Sequence, residues 1–434
     1  MSGNTMLRDG AMERTAGDSI TWTLRVLMLS IVVWLLQACS TLPRTDALPK
    51  SEADAAAIPG IPNARYWLDS DIVPFARSAI GDIGRARTAF AQSGTTAQAL
   101  PPAAILAISG GGENGAFAVG LLEGWTAHGD RPQFRVVTGV SAGALIAPFA
   151  FLGPSYDAQL HDAILSIGRE KLFRSRGVFG LLSDGFADNQ PAIEFVAKYM
   201  TPDVLRAVAA EYAKGRALMI GTTEMDSGRA VTWNMGAIAA SGAPNALDLF
   251  RKVMVASASI PGAVSPVMID VEANGKRYQE MHVDGGVNAQ VFTYPSTMLA
   301  VMQELTGEPY RGAIQVYVIL NWKVAPEWSV TPRSTLAIGG RALGMLLQRQ
   351  SVADLDRIYR TAHQDGADYN LAAIGADFQY PKHKRFDPKY MNDLLGYGYR
   401  LGSAGYAWKK TPPRPDAPAT KVAVLGEQGI PGMP

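Results

Sequence analysis

Twice in quick succession the chain passes from a short apolar run through a glycine-rich turn into an apolar helix, and this repeat restricts the fold more than any other feature. Ala103 to Ile108 is bounded by Pro101-Pro102 and a glycine cluster, the length and setting of a buried parallel strand. Asn114 to His128 then carries Phe117, Leu121, Leu122 and Trp125 near helical spacing, with Gly129 placed to end the helix. Phe134 to Thr138 reads as a second strand and Ala142 to Phe151 as a second helix. A parallel neighbour is reached only by a crossover lying on the face of the sheet. The expected fold is therefore α/β, a three-layer α/β/α sandwich with a mainly parallel central sheet. Further strands are expected at Ala217 to Thr222 and Ile314 to Asn321, and a helix at Leu247 to Ser257. Val267 to Glu272 and Arg277 to Val283 flank Asn274-Gly275, a dipeptide that tolerates the positive φ angles of a tight turn, so the pair reads as a hairpin. Asp270, Glu272, Asn274 and Gly275 also imitate part of a calcium loop, but its twelfth position is Met281 rather than Glu.

Both turns of the repeat carry residues with chemical meaning. Gly139-Val140-Ser141-Ala142-Gly143 lies between strand and helix and matches the nucleophile elbow in residues and in context. Small neighbours permit the sharp turn, which presents the Ser141 hydroxyl at a helix N-terminus, where developing negative charge is favoured. Gly110-Gly111-Gly112-Glu113-Asn114-Gly115 lets successive amides converge on one point, suited to a phosphate or to the oxyanion of a tetrahedral intermediate. No Lys-Ser or Lys-Thr follows, unlike a nucleotide P-loop, and the glycines are contiguous rather than spaced as in a dinucleotide fold. Asp284-Gly285-Gly286 follows the hairpin and by itself reads as a simple turn.

In this order the three motifs resemble the patatin-like phospholipase family. A fourth block, Ala256-Ser257-Ala258-Ser259-Ile260-Pro261-Gly262 followed by Ser265-Pro266-Val267, is similar to that family's segment just before its aspartate. The resemblance covers residues 103 to 290 and implies a lipid acyl hydrolase working through a Ser-Asp dyad and an acyl-enzyme, with Ser141 as nucleophile and Asp284 as its general base. It also implies an oxyanion hole at Gly110, Gly111 and Gly112, the amides of Gly111 and Gly112 foremost. Gly115, Gly139, Gly143, Gly285 and Gly286 then support the turns, and no cofactor is called for. A serine hydroxyl is a poor nucleophile until a base takes its proton, and a carboxylate within hydrogen-bond reach can do so without an imidazole. Asn114 departs from the pattern, since the family usually has Arg or Lys before the last glycine of the loop.

Two rivals stand beside this reading. His363 and His383 follow Asp284, so the Ser, Asp, His order of the α/β-hydrolases is formally available. The other rival is a lipid-anchored binding protein whose serine is vestigial. His282 lies two residues before Asp284, on the same strand face, and is placed to tune that carboxylate. None of the five histidines forms a pair with metal-ligand spacing, so no metal is expected. Between Gly168 and Asp188, Arg169, Lys171, Arg174 and Arg176 interleave with Leu172, Phe173, Val178, Phe179, Leu181 and Leu182. That segment reads either as an amphipathic cover on the core or as a flap for anionic lipid.

Forty Lys and Arg balance thirty-nine Asp and Glu, a net charge of +1, so no broad positive field exists to hold nucleic acid. The expected partners are a phospholipid or other acyl-ester lipid and the membrane itself. Val26 to Leu36 is apolar except for Ser30, follows Arg25, and precedes Gln37-Ala38-Cys39. It has the length of a signal-peptide core and is short for a bilayer span. Leu36-Gln37-Ala38-Cys39 resembles the lipobox of bacterial lipoproteins, which implies lipidation of Cys39; the rival is a short uncleaved anchor helix. As the lone cysteine, Cys39 has no disulfide partner and builds no zinc cluster, whereas lipid attachment needs only one. Ser40 after it implies the outer membrane of a two-membraned bacterium. Met6, Met12 and Met28 are alternative starts. The expected organisation is a signal peptide to residue 38, a flexible tether over 39–64, a catalytic domain over 65–410 and a proline-rich tail over 411–434.

Overall fold

The computed structural model describes Arg25, residues 27–30, Arg44 and residues 46–94, 101–169, 172–177, 183–326 and 328–413. Cys39, most of the leader, the tail beyond residue 413 and Lys171, Val178, Phe179, Leu181 and Leu182 of the basic-apolar segment lie outside the described residues. The strands are β1 (Arg65–Trp67), β2 (Ala103–Ile108), β3 (Val136–Gly139), β4 (Arg174–Ser175), β5 (Gly185–Asp188), β6 (Ala217–Glu224), β7 (Arg229–Asn234), β8 (Gly262–Val264), β9 (Val267–Ala273), β10 (Lys276–Asp284), β11 (Ile314–Lys323) and β12 (Asp368–Ile374). The helices are α1 (Ile72–Gln92), α2 (Gly115–His128), α3 (Ala142–Leu152), α4 (Asp157–Arg169), α5 (Gln190–Tyr199), α6 (Pro202–Ala213), α7 (Met235–Ala240), α8 (Ala246–Ser257), α9 (Met298–Thr306), α10 (Thr335–Gln364) and α11 (Pro388–Ser403). Among the described residues no helix is long and apolar enough to cross a membrane.

The main sheet runs β1-β7-β6-β3-β2-β11-β12. Its centre is parallel, from β6 through β3, β2 and β11 to β12, while β1, β7 and the β9–β10 hairpin join it antiparallel. Apolar side chains alternate between its two faces. Leu106 and Ile108 of β2 pack with α2, α3 and α11, whereas Ile105 and Ala107 pack beneath α10. Met219 of β6 packs with Phe75 of α1 and with Met298 and Met302 of α9. The expected three-layer sandwich is what the chain adopts. Strands β4, β5 and β8 form a small separate sheet over Arg174–Ser175, Gly185–Asp188 and Gly262–Val264.

Strand β2 has the expected ends, and α2 stops where Gly129 takes a left-handed φ of 95°. Between Ala273 and Lys276 the turn is Asn274 (φ 50°) and Gly275 (φ 75°), the positive pair that a two-residue hairpin loop requires. Strand β3 begins at Val136 rather than Phe134, because Phe134 turns into the aromatic cluster with Trp125 and Tyr317. The stretch read as a flexible tether departs further from expectation. Ala57 and Glu272 exchange two backbone hydrogen bonds, Gln279 donates to the Asp46 carbonyl, and Ile58 and Ile61 are buried. Residues 46–62 therefore lie bound along the β9–β10 hairpin, since their few apolar side chains find the sheet's uncovered edge.

The long region beyond residue 290 completes the sandwich. It adds β11 and β12 to the sheet and three covering helices, α9, α10 and α11. α11 approaches α2 at glycines: a Cβ on Gly120 would overlap the Leu395 carbonyl, and one on Gly398 would overlap the Phe117 carbonyl. Backbone-to-backbone contact along this crossing seats α11 against the helix that follows the glycine loop.

Candidate active site

Strand register brings Ser141 and Asp284 together. Gly139, at the end of β3, lies opposite Ile220 of β6. Two residues further along β6, Thr222 pairs instead with Asp284 of β10, which runs the opposite way. β3 and β10 thus approach each other head-on along one edge of β6, and each ends at the same point. Ser141 follows β3 and opens α3 with φ 54° and ψ −122°, a conformation that non-glycine residues adopt only under constraint, at a cost of about 1–3 kcal/mol. Its amide donates to Ser257 Oγ at 3.0 Å, and Ser257 Oγ donates to the Gly221 carbonyl at 2.7 Å. Compactness is enforced by glycine, because a Cβ on Gly143 would overlap the Ile108 carbonyl and one on Gly139 the Gly143 carbonyl.

Asp284 is buried at 6% exposure, and its amide donates to the Ser259 carbonyl at 2.9 Å. Burial pushes its carboxyl pKa up to about 6, against the opposing pull of the neighbouring Ser141 hydroxyl and of the hydrogen bond from the Gly286 amide. The Gly286 amide donates to Asp284 Oδ1 at 2.7 Å, holding the carboxylate in one rotamer. A Cβ on Gly285 would overlap the Gly221 carbonyl, and one on Gly286 would overlap the Gln290 amide group. The Ser257 and Ser259 of the fourth sequence block thus anchor the Ser141 turn and Asp284 respectively. Ser265, in the same block, donates to Asp184 at 2.8 Å.

The glycine loop follows β2, beside the elbow, with Gly115 packed against Ala142. The Gly110 amide donates to the Gln290 carbonyl at 3.0 Å, which removes it from the expected set of oxyanion donors. The Gly111 and Gly112 amides have no backbone acceptor among the described residues. Gly111 has φ 152°, and a Cβ there would stand 2.6 Å from that of Asn321. Gln290 ties the parts together: its side chain donates to the Gly286 carbonyl at 2.8 Å, and its amide donates to Asp354 Oδ2 at 2.7 Å.

Residues 106–294 match the family model for patatin-like phospholipases. The chain carries a patatin-like phospholipase domain. The family supports lipid acyl hydrolase activity, a carboxylic ester hydrolysis. The structure of VipD from Legionella pneumophila is similar at 11% identity and a TM-score of 0.30, covering 70% of this chain and 67% of that one. No curated protein matches the chain.

Outside the matched stretch, the patatin-like domain is braced from the C-terminal region. Glu113 of the glycine loop accepts from the Phe386 amide, and its Oε1 lies 3.2 Å from His383 Nε2. Tyr390 donates to Asn114 Oδ1 at 2.6 Å, and its ring stacks on that of His383 at 3.8 Å. Asn114, the departure from the family pattern, therefore accepts a tyrosine hydroxyl. Nothing local in the sequence announces these contacts, which join residues 270 or more positions apart.

The histidines fall elsewhere than a triad needs. His363 packs against Tyr359, and His383 holds Glu113. His282 does not face the Asp284 carboxylate; its ring nitrogens lie 3.0 Å from Thr222 Oγ1 and 3.1 Å from Glu280 Oε2. Glu280 in turn pairs with buried Arg65, and these partners hold its pKa down to about 2 although burial opposes this. Among the described residues no histidine is hydrogen-bonded to Ser141 or Asp284, and no cluster of His, Cys, Asp and Glu has the makings of a metal site.

Proposed function

We propose that this protein is a membrane-anchored serine lipid acyl hydrolase that cleaves acyl esters of phospholipids through a Ser141–Asp284 dyad. The observation that carries the reading is the meeting of Ser141 with the buried Asp284 carboxyl where β3 and β10 end on one edge of β6; burial raises that carboxyl's pKa to about 6, which suits a base working near neutral pH. Ionised Asp284 takes the Ser141 proton as Oγ attacks the acyl carbonyl carbon. The resulting oxyanion is received by the Gly111 and Gly112 amides and the N-terminal end of α3. Collapse breaks the ester C–O bond, and protonated Asp284 gives its proton to the departing alkoxide. Water, deprotonated by Asp284, then attacks the acyl-Ser141 ester, and the serine leaves with the proton, releasing a fatty acid. Lipidation at Cys39 would anchor the chain at the outer membrane, concentrating this chemistry at its substrate.

Fatty-acid release from phospholipid vesicles is the test, comparing the unaltered chain with Ser141→Ala, Asp284→Asn and the His363→Ala/His383→Ala pair. Loss of turnover in the first two, with the histidine pair within about tenfold of the parent, is the expected result. A histidine pair as inactive as Ser141→Ala would sink the dyad in favour of a triad. Folded protein inactive in every form, and unlabelled at Ser141 by a fluorophosphonate, would sink the hydrolase itself.

A further inference from the structure

Helix α10 divides into two unlike halves. From Leu355 to Ala362 its inner side chains are buried against β11 and β12, and Asp354 holds the Gln290 and Val291 amides. Its first half, which starts at the Ser334 cap, is exposed instead. Of the sixteen large apolar side chains exposed among the described residues, six fall between 328 and 346: Trp328, Val330, Ile338, Leu343, Met345 and Leu346. Trp328 is 94% exposed, Val330 79% and Leu346 67%, values that a solvated monomer surface concentrates this way only where something covers it.

Position and charge say what covers it. No Asp or Glu occurs from Trp328 to Ala353, while Arg333, Arg341 and Arg349 do. Apolar side chains interleaved with arginine, without acid, match the boundary of an anionic lipid layer. The same half-helix borders the candidate active site. Arg341, Met345 and Gln348 line a cavity of about 190 Å³ together with Asn114 of the glycine loop, His383 and Tyr390. Gln350 donates to the carbonyl of half-exposed Val287, just past Gly286.

We infer that residues 328–346 form a docking surface for an anionic phospholipid bilayer, which seats the mouth of the site on the membrane. The surface is distinct from the Cys39 anchor and from the basic-apolar segment around Arg174. Its part in turnover rests on the hydrolase reading above; its binding of lipid does not.

The test uses the full chain carrying Cys39→Ala and Ser141→Ala, sedimented with vesicles of phosphatidylcholine alone or with added phosphatidylglycerol. Binding is expected only with phosphatidylglycerol. Trp328→Ser/Leu343→Ser/Leu346→Ser should weaken it roughly tenfold or more, and Arg333→Gln/Arg349→Gln roughly fivefold per arginine. With Ser141 restored, the triple variant should lose vesicle hydrolysis while keeping turnover of a short soluble ester within about twofold, which also shows that it folds. Equal sedimentation of the triple variant and its parent overturns the proposal. So does a triple variant whose only change is a different oligomeric state without lipid, since the surface is then a contact between copies. An unaltered chain that hydrolyses neither substrate overturns the hydrolase reading and leaves the sedimentation result to decide the docking surface.

Discussion

The matched stretch, residues 106–294, contributes Ser141, Asp284 and the glycine loop, whereas the stretch from 295 to 413 contributes none of the proposed reacting groups and grips that loop from outside. In the first, Ser141 and Asp284 sit at or just past the end of a strand, where register delivers them and Ser257 and Ser259 hold them. In the second, β11 places Asn321 against Gly111, and the segment leading into α11 lays Phe386, His383 and Tyr390 on Glu113 and Asn114. The difference teaches that the proposed reacting pair and the geometry of the proposed oxyanion loop are separable. One is held by backbone pairing within a single sheet, the other by side-chain contacts across most of the chain.

The largest effect should come from the first stretch. Ser141→Ala and Asp284→Asn are each expected to lower kcat by about a thousandfold or more, read as fatty-acid release. A smaller loss for Asp284→Asn than for any residue of the second stretch would break the comparison. Glu113→Ala is next, at about tenfold to a hundredfold in kcat with KM little changed, because the loop that receives the oxyanion loses its anchor. His383→Ala should show a milder loss of the same kind and His363→Ala none. A loss confined to KM would mean that the brace shapes substrate binding instead. The pH profile sharpens the first half of the comparison. Asp284 must be ionised to act as base, so kcat/KM should fall about tenfold per pH unit below about 6 and level off above it.

The same division explains what could be read from residues alone. β2, the elbow, the Asn274-Gly275 hairpin and the Asp284 turn each declare themselves locally, through an apolar run or a glycine demanded by a turn. The four blocks all fall within the matched stretch. Ser257 and Ser259 were within a recognisable block, yet their tasks became visible only once Gly221 and Asp284 were placed beside them. The Gly110 amide looked equivalent to its neighbours because only the fold brings the Gln290 carbonyl to it. Glu113 and His383 carry no signal at all, since a lone acid and a distant histidine have the composition of any surface. The stretch from 46 to 62 read as loose for a related reason: sparse apolar residues suffice when a hairpin edge is waiting for a backbone partner.

The smallest expected effect separates the base's chemistry from its packing. The folded-state pKa of Asp284, about 6, lies above the ordinary value of 3.8, so the native state holds this proton more tightly than the unfolded chain does. Stability from the neutral carboxyl is then fully present below about pH 4 and is lost as pH rises through about 6, amounting to roughly 2–3 kcal/mol at neutral pH. Asn at this position keeps an acceptor for the Gly286 amide but carries no charge to bury. Asp284→Asn should therefore be inactive yet melt higher than the parent at pH 7, with the difference vanishing near pH 4. Asp82 and Asp354, whose pKa values are also raised by burial, titrate alike in both proteins and cancel from the comparison. Thermal melts of the two proteins across this range decide the matter, and a variant that melts lower at every pH would mean that the charge at 284 is stabilised in the fold.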